Sequence, residues 1–250
     1  MQNTIGPEFL RRTRAPYQLD KDHHNPAPRP PLEMDYPQDT KLIPLPDPNT
    51  FRTPALDLRA AMDNRRTHRR YSEQPLSLEE LSFLLWYTQG VKSVTPRPTT
   101  LRTVPSAGAR HPFETYLVLN RVLGVEPGLY RFIATRHSLL PLDTTPDMRE
   151  RIFQDCYDQA QIRASAVTFF WAAASERMTW RYYDRGYRFL FLDAGHICQN
   201  LYLAAEPLGC GVCAIGSFDD PRLNATLGLD GEKDFVAYIA SLGKIIKSVE

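Results

Sequence analysis

The sequence predicts an α+β protein, in which strands alternate with helices in an α+β or α/β sandwich. Two observations lead to this class: short apolar and aromatic runs that are typical of buried strands, and longer runs with helical periodicity between them. With 42% hydrophobic and 24% charged residues, a chain of 250 residues can bury the core of one domain, with appendages. No internal repeat is present.

The first 49 residues are predicted to form an extended arm, and residues 50–250 the folded domain. Ten of the 21 prolines fall within the first 50 residues. Because proline fixes φ and lacks an N–H donor, we expect no regular helix or strand there. Two interpretations remain open: an unstructured terminus, and an arm that lies across a partner subunit.

Two helices are predicted on either side of the basic segment RRTHRR, which spans residues 65–70. The first is a short helix over residues 54–64. The second begins at Ser77, which forms a capping box with Glu80, and ends at Gly90.

The rest of the chain is predicted to form strands and one long helix. Apolar residues recur at helical spacing between residues 187 and 206, which predicts a helix that ends at Pro207. A short helix is predicted over residues 221–227. The predicted strands cover residues 114–119, 129–133, 167–171, 211–218 and 235–242.

Charge and composition exclude several classes of function. Lys and Arg total 30 against 29 acidic residues, so no broad field attracts nucleic acid or an anionic membrane. The longest apolar stretch, residues 166–174, is about half of the ~20 residues that a membrane span requires. The start lacks the apolar region of a signal peptide, and the four cysteines are interpreted as reduced thiols. We therefore expect a cytoplasmic protein that binds neither nucleic acid nor membrane.

The basic segment is the first candidate site. Arg65, Arg66 and Arg69 stand close to Thr67 in a chain whose overall charge is balanced. Guanidinium groups bind phosphate oxygens in a bidentate manner, and a hydroxyl can add a further hydrogen bond. The sequence thus indicates a phosphate ligand. A solvated basic turn and a nucleic-acid patch remain alternatives.

Two segments of small residues follow. Residues 105–108 (PSAG) would let a flat ligand approach the backbone, and so would the glycines near Gly216. Cys210 and Cys213 form a CxxC pair, for which zinc binding, redox chemistry and packed thiols are the alternatives. His196 and Cys198 point to different sides of the predicted helix, so no metal site is predicted.

Together these segments resemble the SagB-type dehydrogenase branch of the nitroreductase family, over residues 44–244. The resemblance is carried by five separate blocks that agree in order. They are RRTHRRYSEQPLSLEELSFLLWYTQG from Arg65, RTVPSAG from Arg102, EPGLYRF from Glu126, DAGHICQNLYLAAEPLGCGVCAIGSFDD from Asp193, and SLGK from Ser241.

The resemblance implies a nitroreductase-like fold, with a central, mostly antiparallel sheet flanked by helices, in an intertwined homodimer that holds FMN at its interface. The long helix would form the dimer core. A cation near the flavin pyrimidine edge, the role of Arg69, would stabilise negative charge on the ring. The cofactor residues implied are Arg65, Arg66 and Thr67 at the phosphate and ribityl chain, Arg69, the partner-chain residues Pro105, Ser106 and Ala107 along the ring, Gly216 and Ser217 facing N5, and Lys244 near the phosphate.

The resemblance also implies two catalytic residues. In azoline-oxidising relatives a Lys-Tyr pair is associated with catalysis, and here Arg181 and Tyr182 occupy the matching positions. Arginine stays protonated and is a poor general base, so proton removal would fall to Tyr182 or another group. The alternative is that both residues only line the mouth of the site.

The leading function is hydride transfer through FMN, in a dehydrogenase that acts on a heterocycle in a modified peptide or small natural product. An NAD(P)H-dependent nitro or quinone reductase is the alternative with the same cofactor, since a nicotinamide could stack on the flavin without a separate nucleotide fold. A catalytically inactive scaffold subunit of a biosynthetic complex is the alternative from another class, and a nucleic-acid-binding module is disfavoured by the charge balance.

Overall fold

The computed structural model describes residues 4–14 and 27–246. Its helices are Ile5–Arg12 (α1), Leu58–Asn64 (α2), Leu78–Gln89 (α3), Pro146–Asp155 (α4), Ala160–Arg163 (α5), Ser175–Tyr182 (α6), Gly186–Ala205 (α7) and Asp220–Thr226 (α8). Its strands are Ile43–Pro44 (β1), Val91–Val94 (β2), Thr100–Arg102 (β3), Phe113–Leu119 (β4), Gly128–Ile133 (β5), Ser138–Asp143 (β6), Val167–Ala174 (β7), Cys210–Ile215 (β8) and Asp234–Lys244 (β9).

Seven strands form one sheet in the order β1-β6-β5-β4-β7-β9-β8, and β2 pairs with β3 in a separate hairpin. Each neighbouring pair in the large sheet is antiparallel. The prediction of an α+β fold with a central antiparallel sheet flanked by helices is confirmed. The prediction was a mostly antiparallel sheet, and all six strand pairs of the large sheet are antiparallel.

Helices cover both faces of the sheet, which explains why β7 reads as a continuous apolar run. Side chains alternate along a strand, so Phe169 and Trp171 pack on the side of α3 and α7. Phe170 and Ala172 pack on the other side, with α4 and α8. The core thus has two layers, one on each side of the sheet.

The predicted helix termini agree with the structure where local chemistry sets them. The Ser77 side chain accepts a hydrogen bond from the Glu80 N–H, and the Glu80 carboxylate accepts one from the Ser77 N–H. The long helix α7 falls within two residues of its predicted bounds. By contrast, β8 ends at Ile215, three residues before its predicted end, and β6, α4 and α6 were not predicted.

The N-terminal arm departs from its prediction in two places. Residues Ile5–Arg12 form a helix, which Pro7 permits because it lies in the first turn, where helical N–H groups lack an intrahelical partner. Ile43–Pro44 pairs with β6 at the edge of the sheet, where proline is tolerated. The expectation of no regular structure in the arm is therefore wrong for these residues. The prolines at 16 and 26 lie outside the described residues.

Residues 31–36 of the arm lie on the domain of the same chain. Arg177 donates a hydrogen bond to the Pro31 carbonyl at 2.8 Å, and Arg131 donates to the Met34 carbonyl at 2.8 Å. The Met34 N–H donates to the Glu114 carboxylate at 2.9 Å. An unstructured arm is therefore excluded for this stretch. A contact between the arm and a partner subunit stays a prediction.

Candidate functional site

The basic segment crosses the sheet edge formed by β8 and β9. Thr67 pairs with Val212 in a short parallel bridge, and the His68 N–H donates to the Val212 carbonyl at 2.9 Å. Further along, the Ser72 N–H donates to the Lys244 carbonyl at 2.9 Å. The arginines are therefore presented by a backbone that is fixed to the sheet at both ends of the segment.

Two glycines make room for this crossing. Gly211 and Gly243 are cross-strand partners in β8 and β9. A Cβ on Gly211 would lie 2.5 Å from the His68 Cβ, and one on Gly243 would lie 2.8 Å from the Tyr71 Cβ. Any side chain at either position would push the basic segment off the sheet. The sequence predicted only that the glycines near Gly216, Gly211 among them, leave room for a ligand, and the role of Gly243 was missed.

Three of the arginines, but not Arg65, line an open pocket of about 420 Å³. Its walls are Arg66, Thr67, His68, Arg69, Arg70, Ile245 and Ile246. Within residues 4–14 and 27–246, no carboxylate oxygen lies within 4 Å of the guanidinium groups of the arginines in this segment. Glu206 is the acidic group that feels this charge: burial raises its pKa, and the charges of Arg65 and Arg66 oppose that rise. Because no carboxylate of the described residues pairs directly with these arginines, the pocket keeps the charge and hydrogen-bond donors that a phosphate ligand requires.

Tyr202 of α7 supports the basic segment from below, and sequence reasoning missed it. Its hydroxyl lies 3.2 Å from the Thr67 Oγ1 and accepts a hydrogen bond from the Ala214 N–H at 3.0 Å. The Arg65 guanidinium lies 5.3 Å from the centre of the Tyr202 ring. Arg65 and Thr67 are thus held by the same side chain.

Lys244 is buried and already paired. Its ammonium donates to the Glu80 carboxylate at 2.5 Å and to the Leu208 carbonyl at 2.8 Å. This pair joins the end of β9 to the first turn of α3. The Glu80 carboxylate neutralises the buried ammonium of Lys244, so no phosphate is needed to balance it. The implied contact of Lys244 with a phosphate stays a prediction.

A second group of implied site residues meets at the loop that contains Pro105, Ser106 and Ala107. Gly108 follows this loop with φ +58°, a conformation that favours glycine. A Cβ on Gly108 would lie 2.4 Å from the Tyr182 hydroxyl oxygen and 3.3 Å from Arg181 Nε. The structure therefore brings residues 105–108 together with Arg181 and Tyr182. Tyr182 is buried, whereas Arg181 is exposed.

Asp193 of α7 fixes this loop, and sequence reasoning assigned it no role. Its carboxylate is buried and accepts a hydrogen bond from the Ala107 N–H at 3.3 Å. Burial raises the pKa of Asp193, while the Ser106 side chain and the Ala107 N–H act in the opposite direction. An acidic residue between Leu190 and Ile197, on the apolar side of the predicted helix, was the pattern that could have revealed it.

His111 closes the same loop and gives a pH-dependent prediction. Burial, aided by the charges of Arg102 and Arg110, lowers the pKa of His111 from 6.5 to about 3. As the pH falls below 6.5, the unfolded chain binds a proton that the folded chain does not. The free energy of unfolding should therefore fall with pH, by up to about 1.4 kcal/mol per pH unit from this group.

The His111→Asn variant should lower this slope, measured as urea midpoints between pH 6.5 and about pH 4. Asparagine tolerates the φ of +44° at this position. His68 and His137 also have lowered pKa values, so part of the slope should remain. Equal slopes for the variant and the parent protein would show that His111 is not buried in its neutral form.

The segment after β8 leaves its backbone open. Gly216 and Ser217 are exposed, and a Cβ on Gly216 would meet no atom within 4 Å. The Ser217 carbonyl accepts a hydrogen bond from the Gln159 side chain at 2.7 Å, which ties this segment to α5. An open backbone is compatible with the implied place of these two residues beside a flat ring.

The cysteines of the CxxC pair lie on opposite faces of β8. Cys210 packs in the core layer of α3 and α7, and Cys213 packs in the layer of α4 and α8. Burial raises the pKa of both thiols, to about 12 for Cys210. Because residues three apart in a strand point away from each other, the pair is not arranged for a disulfide exchange centre.

The two groups of site residues are separate within one chain. In the described ranges, no hydrogen bond or ion pair joins residues 65–70 to residues 105–108, 181 or 182. Both groups rest on α7, one at Tyr202 and the other at Asp193. Nine residues of helix place these supports about 14 Å apart along the axis.

The chain belongs to the nitroreductase family. The family model matches residues 62–244, which include the sheet from β4 onward, the basic segment and α7. A nitroreductase-family protein of Methanocaldococcus jannaschii is 33% identical over 209 residues, which are 84% of this chain and 99% of that protein. The trifolitoxin-processing protein TfxB of Rhizobium leguminosarum bv. trifolii is 29% identical over 163 residues, which are 62% of this chain and 44% of that protein.

Solved structures support the same assignment. A nitroreductase-family crystal structure from Anabaena variabilis is 31% identical, with a TM-score of 0.65, over 76% of this chain and 38% of that chain. This chain therefore spans less than half of the Anabaena protein and of TfxB. The E. coli microcin synthetase McbBCD complex (18% identity, TM-score 0.61, 84% of this chain and 80% of that chain) shares the fold. So does the NADPH:FMN oxidoreductase of Vibrio harveyi (16% identity, TM-score 0.54, 77% and 70%).

The family makes this chain an oxidoreductase. In the part of the chain that the structure describes, no helix has the length and apolar character needed to cross a bilayer. The predicted cytoplasmic location stays a prediction.

Proposed function

We propose that this chain is an FMN-dependent oxidoreductase whose site forms between two copies. One copy would supply the basic segment and Gly216, and the other would supply residues 105–107, Arg181 and Tyr182. The observation that carries the proposal is the arginine-lined pocket of about 420 Å³ in a member of the nitroreductase family. The name of the Vibrio harveyi fold neighbour, an NADPH:FMN oxidoreductase, supports the choice of cofactor.

The residues present fit FMN. Arg65, Arg66 and Thr67 would bind its phosphate and ribityl chain, and Arg69 would place a positive charge beside the pyrimidine ring. The backbone of Gly216 and Ser217 is open to solvent and would face the ring. When bound, FMN supplies a hydride acceptor and donor at N5.

The homodimer is supported by the exposed side of α7. Phe191 and Leu192 are 55% and 59% exposed, although they stand in the middle of a 20-residue helix. Gly195 lies one turn further on the same side, where it would let another helix approach closely. Adjacent large apolar residues on a helix are the expected core of an interface.

The Leu192→Glu variant should therefore be monomeric by light scattering and should lose its flavin, because each site needs both copies. Leu123→Glu is the matched control, since Leu123 is also 59% exposed and lies outside α7. A Leu192→Glu protein that stays dimeric and yellow would rule out this interface.

For the substrate, we propose dehydrogenation of a heterocycle in a modified peptide or small natural product, as in SagB-type dehydrogenases. The names of two similar proteins, one that processes trifolitoxin and one that belongs to a microcin synthetase, support this class. Tyr182 in its deprotonated form, or another group, would take the proton, because arginine is a poor general base and the Tyr182 hydroxyl lies at the Gly108 loop. Arg181 would orient the substrate or stabilise an anion.

A nitro or quinone reductase that uses NAD(P)H is the second candidate. It is favoured by the M. jannaschii relative, which this chain matches over 99% of its length. The third is a scaffold subunit that binds flavin without turnover.

The first experiment is an absorption spectrum of the purified protein, followed by identification of the chromophore that heat releases. A colourless protein that cannot be loaded with FMN would overturn the proposal. Anaerobic addition of NADH or NADPH then separates the candidates. Bleaching of the flavin by NADH or NADPH, followed by turnover of a quinone, supports the reductase. No bleaching by either nucleotide, together with bleaching of the flavin as a supplied azoline peptide is oxidised, supports the dehydrogenase. If neither reaction occurs, the result supports the scaffold subunit.

A further inference from the structure

Three arginines from three different segments converge beside Tyr182. Arg29 comes from the N-terminal arm, Arg110 from the loop after Gly108, and Arg181 from the end of α6. The Arg29 and Arg110 guanidinium carbons lie 5.5 Å and 5.8 Å from the centre of the Trp180 ring. One indole therefore positions two cations.

Hydrogen bonds fix the same cluster. Arg29 and Arg110 both donate to the Thr99 Oγ1, at 3.3 Å and 3.0 Å. Arg110 also donates through Nε to the Gly108 carbonyl at 3.1 Å. A Cβ on Gly108 would lie 3.3 Å from the Arg181 Cδ and Nε, so Arg110 and Arg181 meet at this glycine.

Among the described residues, no acidic side chain forms an ion pair with the cluster. Considering only residues 4–14 and 27–246, no carboxylate oxygen comes within 4 Å of Arg29, Arg110 or Arg181. Burial lowers the pKa of Arg110, and the charges of Arg29, Arg181 and Arg97 lower it further. Like charges held together repel each other, so the arrangement favours an anionic ligand.

We propose that Arg29, Arg110 and Arg181, held by Trp180, form a recognition site for an oxyanion that the substrate carries, either a carboxylate or a phosphate. Guanidinium groups match both anions through paired hydrogen bonds. The site lies beside Tyr182, so its role in substrate binding rests on the proposed function. The N-terminal arm would then take part in ligand binding, because it supplies Arg29 to the site.

The test is equilibrium binding to the FMN-loaded protein, in which the cofactor phosphate occupies the basic pocket. The probes are 4-nitrobenzoate against the neutral 4-nitrobenzyl alcohol, and NADP⁺ against NAD⁺. We expect Arg29→Gln and Arg110→Gln each to weaken binding of one charged probe by about tenfold, the size of one charge-assisted hydrogen bond. The neutral alcohol and NAD⁺ should change by less than about twofold.

Two control variants separate loss of charge from loss of the specific site. Arg149→Gln on α4 removes the same charge and should leave all four dissociation constants unchanged. Arg29→Lys keeps the charge but not the paired donors, so its binding should be intermediate. Arg29 belongs to the arm, so its variants test the site even if Arg110→Gln unfolds.

The pattern of losses identifies the source of the anion. A loss confined to 4-nitrobenzoate assigns the site to a substrate carboxylate, and a loss confined to NADP⁺ assigns it to the 2′-phosphate on the adenosine ribose of NADP(H). Dissociation constants within about twofold of the parent for both charged probes in every variant would overturn the proposal. If the protein takes up no flavin, the proposed function fails, and titration of 4-nitrobenzoate into an Arg66→Gln/Arg69→Gln background still tests the anion site by itself.

Discussion

Replacing Glu114 with glutamine is expected to lower the free energy of unfolding by about 3–5 kcal/mol, measured by urea denaturation. Glu114 is 3% exposed, and its carboxylate accepts a hydrogen bond from Arg177 at 2.5 Å and one from the Met34 N–H. Arg102 and Arg131 are also buried nearby, and Glu114 opposes the effect of burial, which lowers the pKa of Arg102 to about 10. Without the carboxylate, Arg177 would be a buried charge with no ion-pair partner within 4 Å among the described residues, and only the more distant Asp234 would oppose its charge.

Two further variants test this explanation. Glu150 pairs with Arg163 on the surface, so Glu150→Gln should change stability little. Combining Glu114→Gln with Arg177→Met should recover part of the loss, because no unpaired charge is then left at the pair. If the free energy of unfolding of Glu114→Gln lies within about 1 kcal/mol of that of the parent protein, the buried pair is not the stabilising element that the structure indicates.

The Gly211→Ala variant should weaken flavin binding at least about tenfold. The new Cβ would lie 2.5 Å from the His68 Cβ, an atom next to the backbone that cannot rotate away. The basic segment must then move, and the 2.9 Å hydrogen bond from the His68 N–H to the Val212 carbonyl is lost. The measurement is the dissociation constant for FMN, from fluorescence titration of protein stripped of flavin.

A control variant that lowers stability at a distant position separates this effect on flavin binding from general unfolding. Leu223→Ala empties a fully buried position on α8 and should cost about 2–5 kcal/mol while flavin affinity persists. Adding His68→Gly to Gly211→Ala removes the clashing atom and should restore much of the affinity. Failure of this double variant, with a folded protein, would show that the fit between Gly211 and His68 does not position the arginines.

The sequence predicted those elements whose cause is local. Ser77 and Glu80 define the start of α3 within four residues of chain, and the apolar positions of α7 recur along one helix. The basic segment was recognised for a similar reason, since its charge density stands out in a balanced chain. The prediction of no regular structure in the arm failed because a count of prolines ignores their positions. Pro7 is tolerated in the first turn of a helix, and Pro44 is tolerated at the edge of a sheet.

What the sequence determined by itself is therefore the α+β class, the family resemblance, and the residue types able to bind a phosphate. Only the tertiary structure decided how they meet. Gly211 and Gly243 lie 32 positions apart in the chain, yet they become cross-strand neighbours that seat residues 67–71. Arg29, Arg110 and Arg181 likewise meet only through folding. The physical reason is that contacts between distant segments depend on strand order and register, which no local pattern of residues specifies.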